Sequence, residues 1–480
     1  MGEAPPRVLI RMALLRVRPC ATTLAEAPGV GQGLQQRNFM VQRVMGAALM
    51  AAMVLGGGAC TVQAGAQLPQ IAQQAVPAPV QIDEVAFQAW LDDLRTEARA
   101  KGIGPATVDA ALSGIQPIPK VIEYDRRQPE FSQTYWTYLD RAVNAQRIQK
   151  GQEMLRRHTA LLGEIERQYG VQPRFLVAFW GLETNFGANF GGFPVITALA
   201  TLAFDERRSA FFRAELLDAL AIVDAGHIPA DRMVGSWAGA MGHLQFMPST
   251  FRRHAVDRTG DGRADIWGSL PDVFASAANY LSAEGWKGDQ TWGREVRLPA
   301  GFDLDNAAMT VRKSLADWAA LGVRRADGGP LTVVEGMEAS VVLPAGVRGP
   351  AFLVYENFRV TMKWNRSILY AVAVGHLADR LAGLPPITAK APPDARPLSR
   401  GEVEEIQALL NALGHDVGQP DGMAGPQTRA ALRAFQKSVG MPADGHADPL
   451  VLTRLRSTAT ERGVVPVPRD GNGVTPARDG

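Results

Sequence analysis

The residues best placed to do chemistry lie in Phe175-Leu-Val-Ala-Phe-Trp-Gly-Leu-Glu-Thr-Asn-Phe-Gly187, where one carboxylate closes a strongly apolar run. Pro173 suits the first turn of a helix, and Phe175, Leu176, Val177, Phe179 and Trp180 leave it apolar on nearly every face. Such a helix belongs inside a domain. Glu183 falls in its last turn, and Gly187 is expected to end it. The nearest preceding basic residue, Arg174, is too far along the helix to pair with Glu183. A buried, unpaired carboxyl has a raised pKa, so it can hold a proton near neutrality and deliver it. That is what the general acid of glycosidic-bond cleavage needs. The alternative is a Glu that hydrogen-bonds a loop.

A second stretch, Gly235-Ser-Trp-Ala-Gly-Ala-Met-Gly-His-Leu-Gln-Phe-Met-Pro-Ser-Thr250, is a turn rich in small residues that ends at a Pro-Ser-Thr helix start. Small residues permit close backbone approach, here by a sugar chain, and Gln245 offers both a donor and an acceptor. A tightly packed turn with no ligand is the competing reading. Together, Gly-Leu-Glu-Thr-Asn-Phe-Gly, Gly-Ala-Met-Gly-x-x-Gln-Phe-Met-Pro-Ser and Trp364-Asn-Arg-Ser367 resemble the membrane-bound lytic transglycosylase B family of peptidoglycan-cleaving enzymes, in the family's order. The resemblance runs from about Val85 to Leu384.

It implies a mainly α, lysozyme-like catalytic domain in which Glu183 is the single catalytic residue. Glu183 would protonate the oxygen between N-acetylmuramic acid and N-acetylglucosamine. The same group, now a base, would deprotonate the muramic acid 6-hydroxyl and close a 1,6-anhydro ring. Ser236, Gln245, Tyr280 and Asn365 match positions that contact substrate or face the glutamate in that family. Trp364 departs from the tyrosine expected before the Asn, which keeps stacking and loses a hydroxyl. Ordinary glycosidases use two carboxylates, and the chain offers no second acid in a comparable apolar setting: Asp205 and Glu206 open a polar helix beside Arg207 and Arg208.

Asp257-Arg-Thr-Gly-Asp-Gly-Arg-Ala-Asp-Ile-Trp-Gly268 places oxygen groups at loop positions one, three, five and nine, with Gly262 at the sharp turn. It resembles an EF-hand calcium loop. Gly268 stands where a bidentate Glu is usual, and Asp272 follows closely enough to substitute. Asp257, Thr259, Asp261, Asp265 and Asp272 are therefore the expected ligands of a structural calcium ion of modest affinity. A bare Asp/Gly turn is the alternative. No organic cofactor is expected.

Composition bounds the remaining choices. At 480 residues, two or three domains are expected, and 50 Lys and Arg against 48 Asp and Glu give no reason to expect nucleic acid. The 2 cysteines, Cys20 and Cys60, leave no disulfide for the mature domains. Met40 to Leu55 has a basic start and an apolar core too short to span a bilayer comfortably, and Ala64-Gly-Ala66 offers a cleavage site. Residues 1–66 therefore read as an upstream extension and export signal, with Met40 a candidate start. Cys60 offers a lipoprotein alternative to soluble release into the periplasm, although Gly57-Gly-Ala-Cys60 lacks the usual large apolar residue.

Helical periodicity begins after Gln81: Phe87, Trp90, Leu91 and Leu94 share one face, and so do Met154, Leu161, Leu162 and Ile165. A β-like stretch from Leu331 to Tyr355 reads as a small inserted subdomain of the catalytic domain, 82–384. Residues 385–400 form a Pro/Ala linker. In 401–457, Asp421-Gly-Met-Ala-Gly-Pro-Gln-Thr-Arg429 and Asp444-Gly-His-Ala-Asp-Pro449 resemble a three-helix peptidoglycan-binding module, and 458–480 read as a disordered tail. The expected partner is the glycan strand, met by a monomer, with cell-wall synthesis or division proteins as further candidates. Three competing functions stay open. A hydrolytic muramidase would want a second carboxylate, a zinc amidase would want clustered ligands that the 7 scattered histidines do not supply, and a non-catalytic wall-binding protein would not need Glu183.

Overall fold

The computed structural model describes residues 80–127 and 133–464. The chain divides into Met1–Ala75 and Val76–Gly480, and every described residue lies in the second unit. The export segment, Cys60 and the tail beyond residue 464 lie outside the described residues.

Seven helices come first: α1 (Glu84–Ala100), α2 (Pro105–Leu112), α3 (Pro119–Arg127), α4 (Tyr135–Ala142), α5 (Ala145–Arg157), α6 (Thr159–Tyr169) and α7 (Pro173–Thr184). Their starts follow local chemistry. The Asp83 carboxylate accepts from Val85 N and Ala86 N, Asn144 caps α5, and prolines open α2 and α7. On α1 the expected face is buried at Phe87, Leu91 and Leu94. The second expected face is shared by two helices, because the chain breaks at His158 between α5 and α6.

Strand β1 (Phe193–Pro194) leads into α8 (Val195–Phe204) and α9 (Ser209–Asp224), and β2 (Val234–Gly235) pairs antiparallel with β1. Next come α10 (Pro248–His254) and α11 (Leu270–Ala283). An antiparallel five-stranded sheet is then built from β3 (Gly293–Arg297), β4 (Lys313–Ser314), β5 (Arg324–Arg325), β6 (Glu338–Val342) and β7 (Ala351–Val354), in the order β4-β6-β7-β3-β5. Helix α12 (Leu315–Ala320) follows β4, and Trp318 is fully buried beneath the sheet with Val341 and Leu353. The β-like stretch is thus two strands of a larger sheet. Leu331–Val334 is not a strand: Val333 and Val334 are exposed, so their β propensity finds no surface to pack on.

Helices α13 (Glu356–Trp364) and α14 (Ile368–Leu381) return to the helical layer. There α14 packs along α7, and both are buried almost throughout. A buried polar knot fixes this pairing. Asp379 on α14 accepts from Trp292 Nε1 at 2.9 Å and pairs with Arg174 of α7 at 3.2 Å. A Cβ on Gly375 would lie 2.2 Å from the Trp292 ring, so only glycine lets the helix approach this closely.

The C-terminal module is α15 (Arg400–Ala412), α16 (Pro426–Ser438) and α17 (Pro449–Glu461) around Leu410, Leu432, Phe435 and Leu455. Helix α17 runs past the expected end of order at residue 457, because Thr458 and Ala459 are buried in this core. The linker has no helix or strand, but it is not free. The Glu295 carboxylate on β3 accepts from Thr388 N, Thr388 Oγ1 and Ala389 N at 2.7, 2.9 and 2.9 Å, and Arg348 pairs with Asp394. The module also touches connections between the strands: Val347 N, between β6 and β7, donates to Asp444, and Lys437 pairs with Asp305, between β3 and β4, at 2.8 Å. A cavity of about 780 Å³ at this junction, lined by Leu298, Phe302, Leu343 and Pro442 among others, contains none of the candidate site residues.

Candidate active site

Helix α7 ends one residue after Glu183. Asn185, Phe186 and Gly187 take φ values of 51°, 60° and 80°, so the chain turns sharply away at the carboxylate. The expected stop at Gly187 is displaced to Asn185, a residue that tolerates the left-handed region. This turn leaves Glu183 half-buried at the end of a buried helix.

The rest of the site is aromatic. Glu183 Oε1 accepts from Trp364 Nε1 at 2.9 Å and from the Tyr370 hydroxyl, and no hydrogen bond reaches Oε2 among the described residues. Phe179, Phe246 and Tyr280 pack on Trp364 with ring centroids 4.6, 5.2 and 4.9 Å away. Burial pushes the Glu183 carboxyl up to about 7, although the two donors pull the other way. Burial also pushes Tyr138 up to about 12, with the Glu183 charge adding to the effect. Among the described residues no second carboxylate acts on Glu183.

The small-residue turn is brought against the end of α7. Thr184 Oγ1 donates to His243 O at 3.0 Å and Trp180 Nε1 donates to His243 Nδ1 at 2.8 Å. Burial holds the His243 imidazole down to about 4, so it is neutral and can accept from the indole. A Cβ on Gly191 would lie 2.1 Å from Gly235 O, so the two loops meet backbone to backbone.

The residues expected to bind substrate take different places around this centre. Gln245, at φ 50°, donates through Nε2 to Phe190 O and Gly242 O and so ties the two loops together. Ser236 Oγ accepts from Ala240 N and closes its own turn. Tyr280 is buried against Trp364, and burial pushes its phenol up to about 12. Asn365 is exposed, and its Oδ1 accepts from Ser367 N at the start of α14. The side chain of this motif that reaches Glu183 is Trp364. Tyr370 was not foreseen: its signal is only a tyrosine one turn after the Ser367 cap, and the α7–α14 packing gives it meaning.

The Asp-rich loop is ordered by its own carboxylates. Asp272, fully buried, accepts from Arg258 N and Thr259 N at 2.9 and 3.2 Å and from Asp265 N at 3.0 Å. Asp257 accepts from Gly260 N, Gly262 N and Thr259 Oγ1, Asp261 from Arg263 N, and Asp265 from Trp267 N and Gly268 N. Among the described residues no three acidic or histidine side chains converge to hold a metal, so the expected calcium cage is not assembled as such.

Sequence and structure comparisons identify the family. The family "Transglycosylase SLT domain" matches residues 86–379, and a peptidoglycan binding domain matches residues 399–455. Membrane-bound lytic murein transglycosylase B of Escherichia coli K12 is 32% identical over 258 residues, covering 51% of this chain and 66% of that protein. The chain thus aligns with just under two thirds of that relative. SltB3 of Pseudomonas aeruginosa, solved in complex with NAG-anhNAM-pentapeptide, is 49% identical with a TM-score of 0.74, covering 77% of this chain and 99% of that one. The Escherichia coli transglycosylase Slt35 in complex with calcium is 26% identical with a TM-score of 0.53, covering 62% and 93%. With the mainly helical, lysozyme-like fold that these structures share, the chain belongs to the transglycosylase SLT family.

Proposed function

We propose that the protein is a lytic transglycosylase that cleaves the β-1,4 bond between N-acetylmuramic acid and N-acetylglucosamine in peptidoglycan and leaves a 1,6-anhydro end. The observation that carries this reading is a glutamate poised near pH 7 in an aromatic enclosure, with no second carboxylate acting on it among the described residues. Protonated Glu183 gives its proton to the glycosidic oxygen as the C1–O bond breaks. The resulting carboxylate takes the proton of the muramic acid 6-hydroxyl while O6 attacks C1. The leaving sugar keeps the first proton, the second restores the acid, and no water is consumed. Because nucleophile and electrophile belong to one sugar, the attack is intramolecular. The NAG-anhNAM ligand of SltB3 supports the same product.

Ser236, Gln245 and Asn365 line or brace the loops around Glu183 as substrate-positioning residues, and Tyr280 backs Trp364. The module 401–457 holds peptidoglycan, in keeping with its family match. Export to the periplasm rests on the segment from Met40 to Ala66. A structural calcium ion at Asp257–Asp272 is supported by the loop spacing and by the calcium complex of Slt35, and has no chemical task.

Digestion of sacculi by the full chain, read by mass spectrometry, tests the reaction. Anhydro-muropeptides are expected. Reducing-end muropeptides would replace the reading with a muramidase, free stem peptides with an amidase, and an unchanged digest with a binding protein.

A further inference from the structure

Both hydrogen-bond donors at Glu183 converge on the same oxygen. Trp364 Nε1 lies 2.9 Å from Oε1, and the Tyr370 hydroxyl meets Oε1 as well. An indole N–H can only donate, so Oε1 must accept from it in every protonation state. Tyr370 is buried, and among the described residues its hydroxyl has no other acceptor. A proton on Oε1 would have to be given to the tyrosine oxygen, leaving the tyrosine's own hydrogen without a partner in a buried place, which is costly. It would also aim a hydroxyl at the indole hydrogen. A proton on Oε2 meets neither obstacle, since no hydrogen bond occupies that oxygen among the described residues.

We infer that Trp364 and Tyr370 are positioning residues that confine the acidic proton of Glu183 to Oε2, making Oε2 the oxygen that gives the proton to the glycosidic oxygen and takes one back from the 6-hydroxyl. This rests on the proposed single-glutamate reaction and adds which atom performs it. Oε2–H transfers its proton to the bridging oxygen as the C1–O bond electrons go to that oxygen. Oε2 then receives the hydroxyl proton as O6 bonds to C1, and Oε1 stays an acceptor throughout. The phenol of a tyrosine at 364 could donate or accept, whereas tryptophan can only donate and so enforces the polarity.

The test is the pH dependence of kcat/KM for the full chain and for Trp364→Phe, Tyr370→Phe and Trp364→Tyr. Both donors stabilise the carboxylate more than the acid, so removing either raises the Glu183 pKa. The alkaline limb of each Phe variant is expected to move up by about one pH unit, and Trp364→Tyr is expected to return most of the way. Plateau rates should fall about two- to tenfold as the proton loses its fixed place. A role in packing alone would lower activity or the melting temperature with the limb unmoved, and that result in both Phe variants overturns the inference. Neutron diffraction below pH 7 provides a check independent of any variant's stability: deuterium on Oε2 supports the inference, and deuterium on Oε1 overturns it. An active Glu183→Gln variant would instead overturn the proposed reaction itself, so the two failures are distinguishable.

Discussion

Replacing Glu183 by Gln should stabilise the protein at alkaline pH and leave its stability at acid pH unchanged. The carboxyl ordinarily titrates near 4.5, and burial moves it to about 7 in the folded chain. Between those values the native state binds more protons than the unfolded state, so stability falls as pH rises. Below 4.5 both states are protonated and nothing is lost. Above 7 the full cost of a buried carboxylate is present. At about 1.4 kcal/mol per pH unit, the interval from 4.5 to about 7 amounts to about 3 kcal/mol. Because Glu183 is only half-buried and one carboxylate oxygen is unengaged, about 1 to 3 kcal/mol is the working range. The amide of Gln keeps the acceptor for Trp364 and Tyr370 and carries no charge. Thermal melts of both proteins from pH 4.5 to 8.5 should give Tm values that coincide at the acid end and separate through neutrality, with the variant ahead by a few degrees at pH 8. A separation that does not change with pH, or wild type ahead at pH 8, would refute the claim that Glu183 is held protonated by burial.

Gly375→Ala should cost about 1 to 3 kcal/mol, read by chemical denaturation, because its Cβ would meet the rigid, buried Trp292 ring at 2.2 Å. A chain ending at Leu384 should still release anhydro-products from soluble glycan fragments and pellet less with sacculi, since the module raises local concentration without touching the chemistry. Glu295→Ala with Arg348→Ala should free the linker, seen as faster protease cleavage between residues 385 and 399, because five of the hydrogen bonds that hold it come from those two side chains. Calcium should raise Tm, and by more than magnesium at equal concentration, since a ligand that binds only the native state stabilises it; Asp261→Ala should erase the shift, and a melt insensitive to calcium would show a bare Asp/Gly turn.

Most helices, and the acid proposed to be catalytic, were legible in the sequence alone. Helix α7 was legible because its apolar run is continuous and its start carries Pro173, and Glu183 stood out as an acid where charge is expensive. The three module helices were legible from turn residues at fixed spacing, as local chemistry specifies them. What needed the tertiary structure was every relation between distant segments. Trp364 and Tyr370 meet Glu183 only because the end of α13 and the start of α14 are brought to the end of α7, more than 180 positions away in the chain. Strand β3 was missed because Gly293–Arg297 is polar and charged, and it is a strand by pairing with β7 and β5. The linker's composition reads as free chain, yet Glu295 holds it, since a single carboxylate can satisfy several backbone donors. The spacing of the Asp-rich loop describes ligands for a cation. That the same carboxylates also accept N–H groups of their own loop is a set of contacts that only the fold shows.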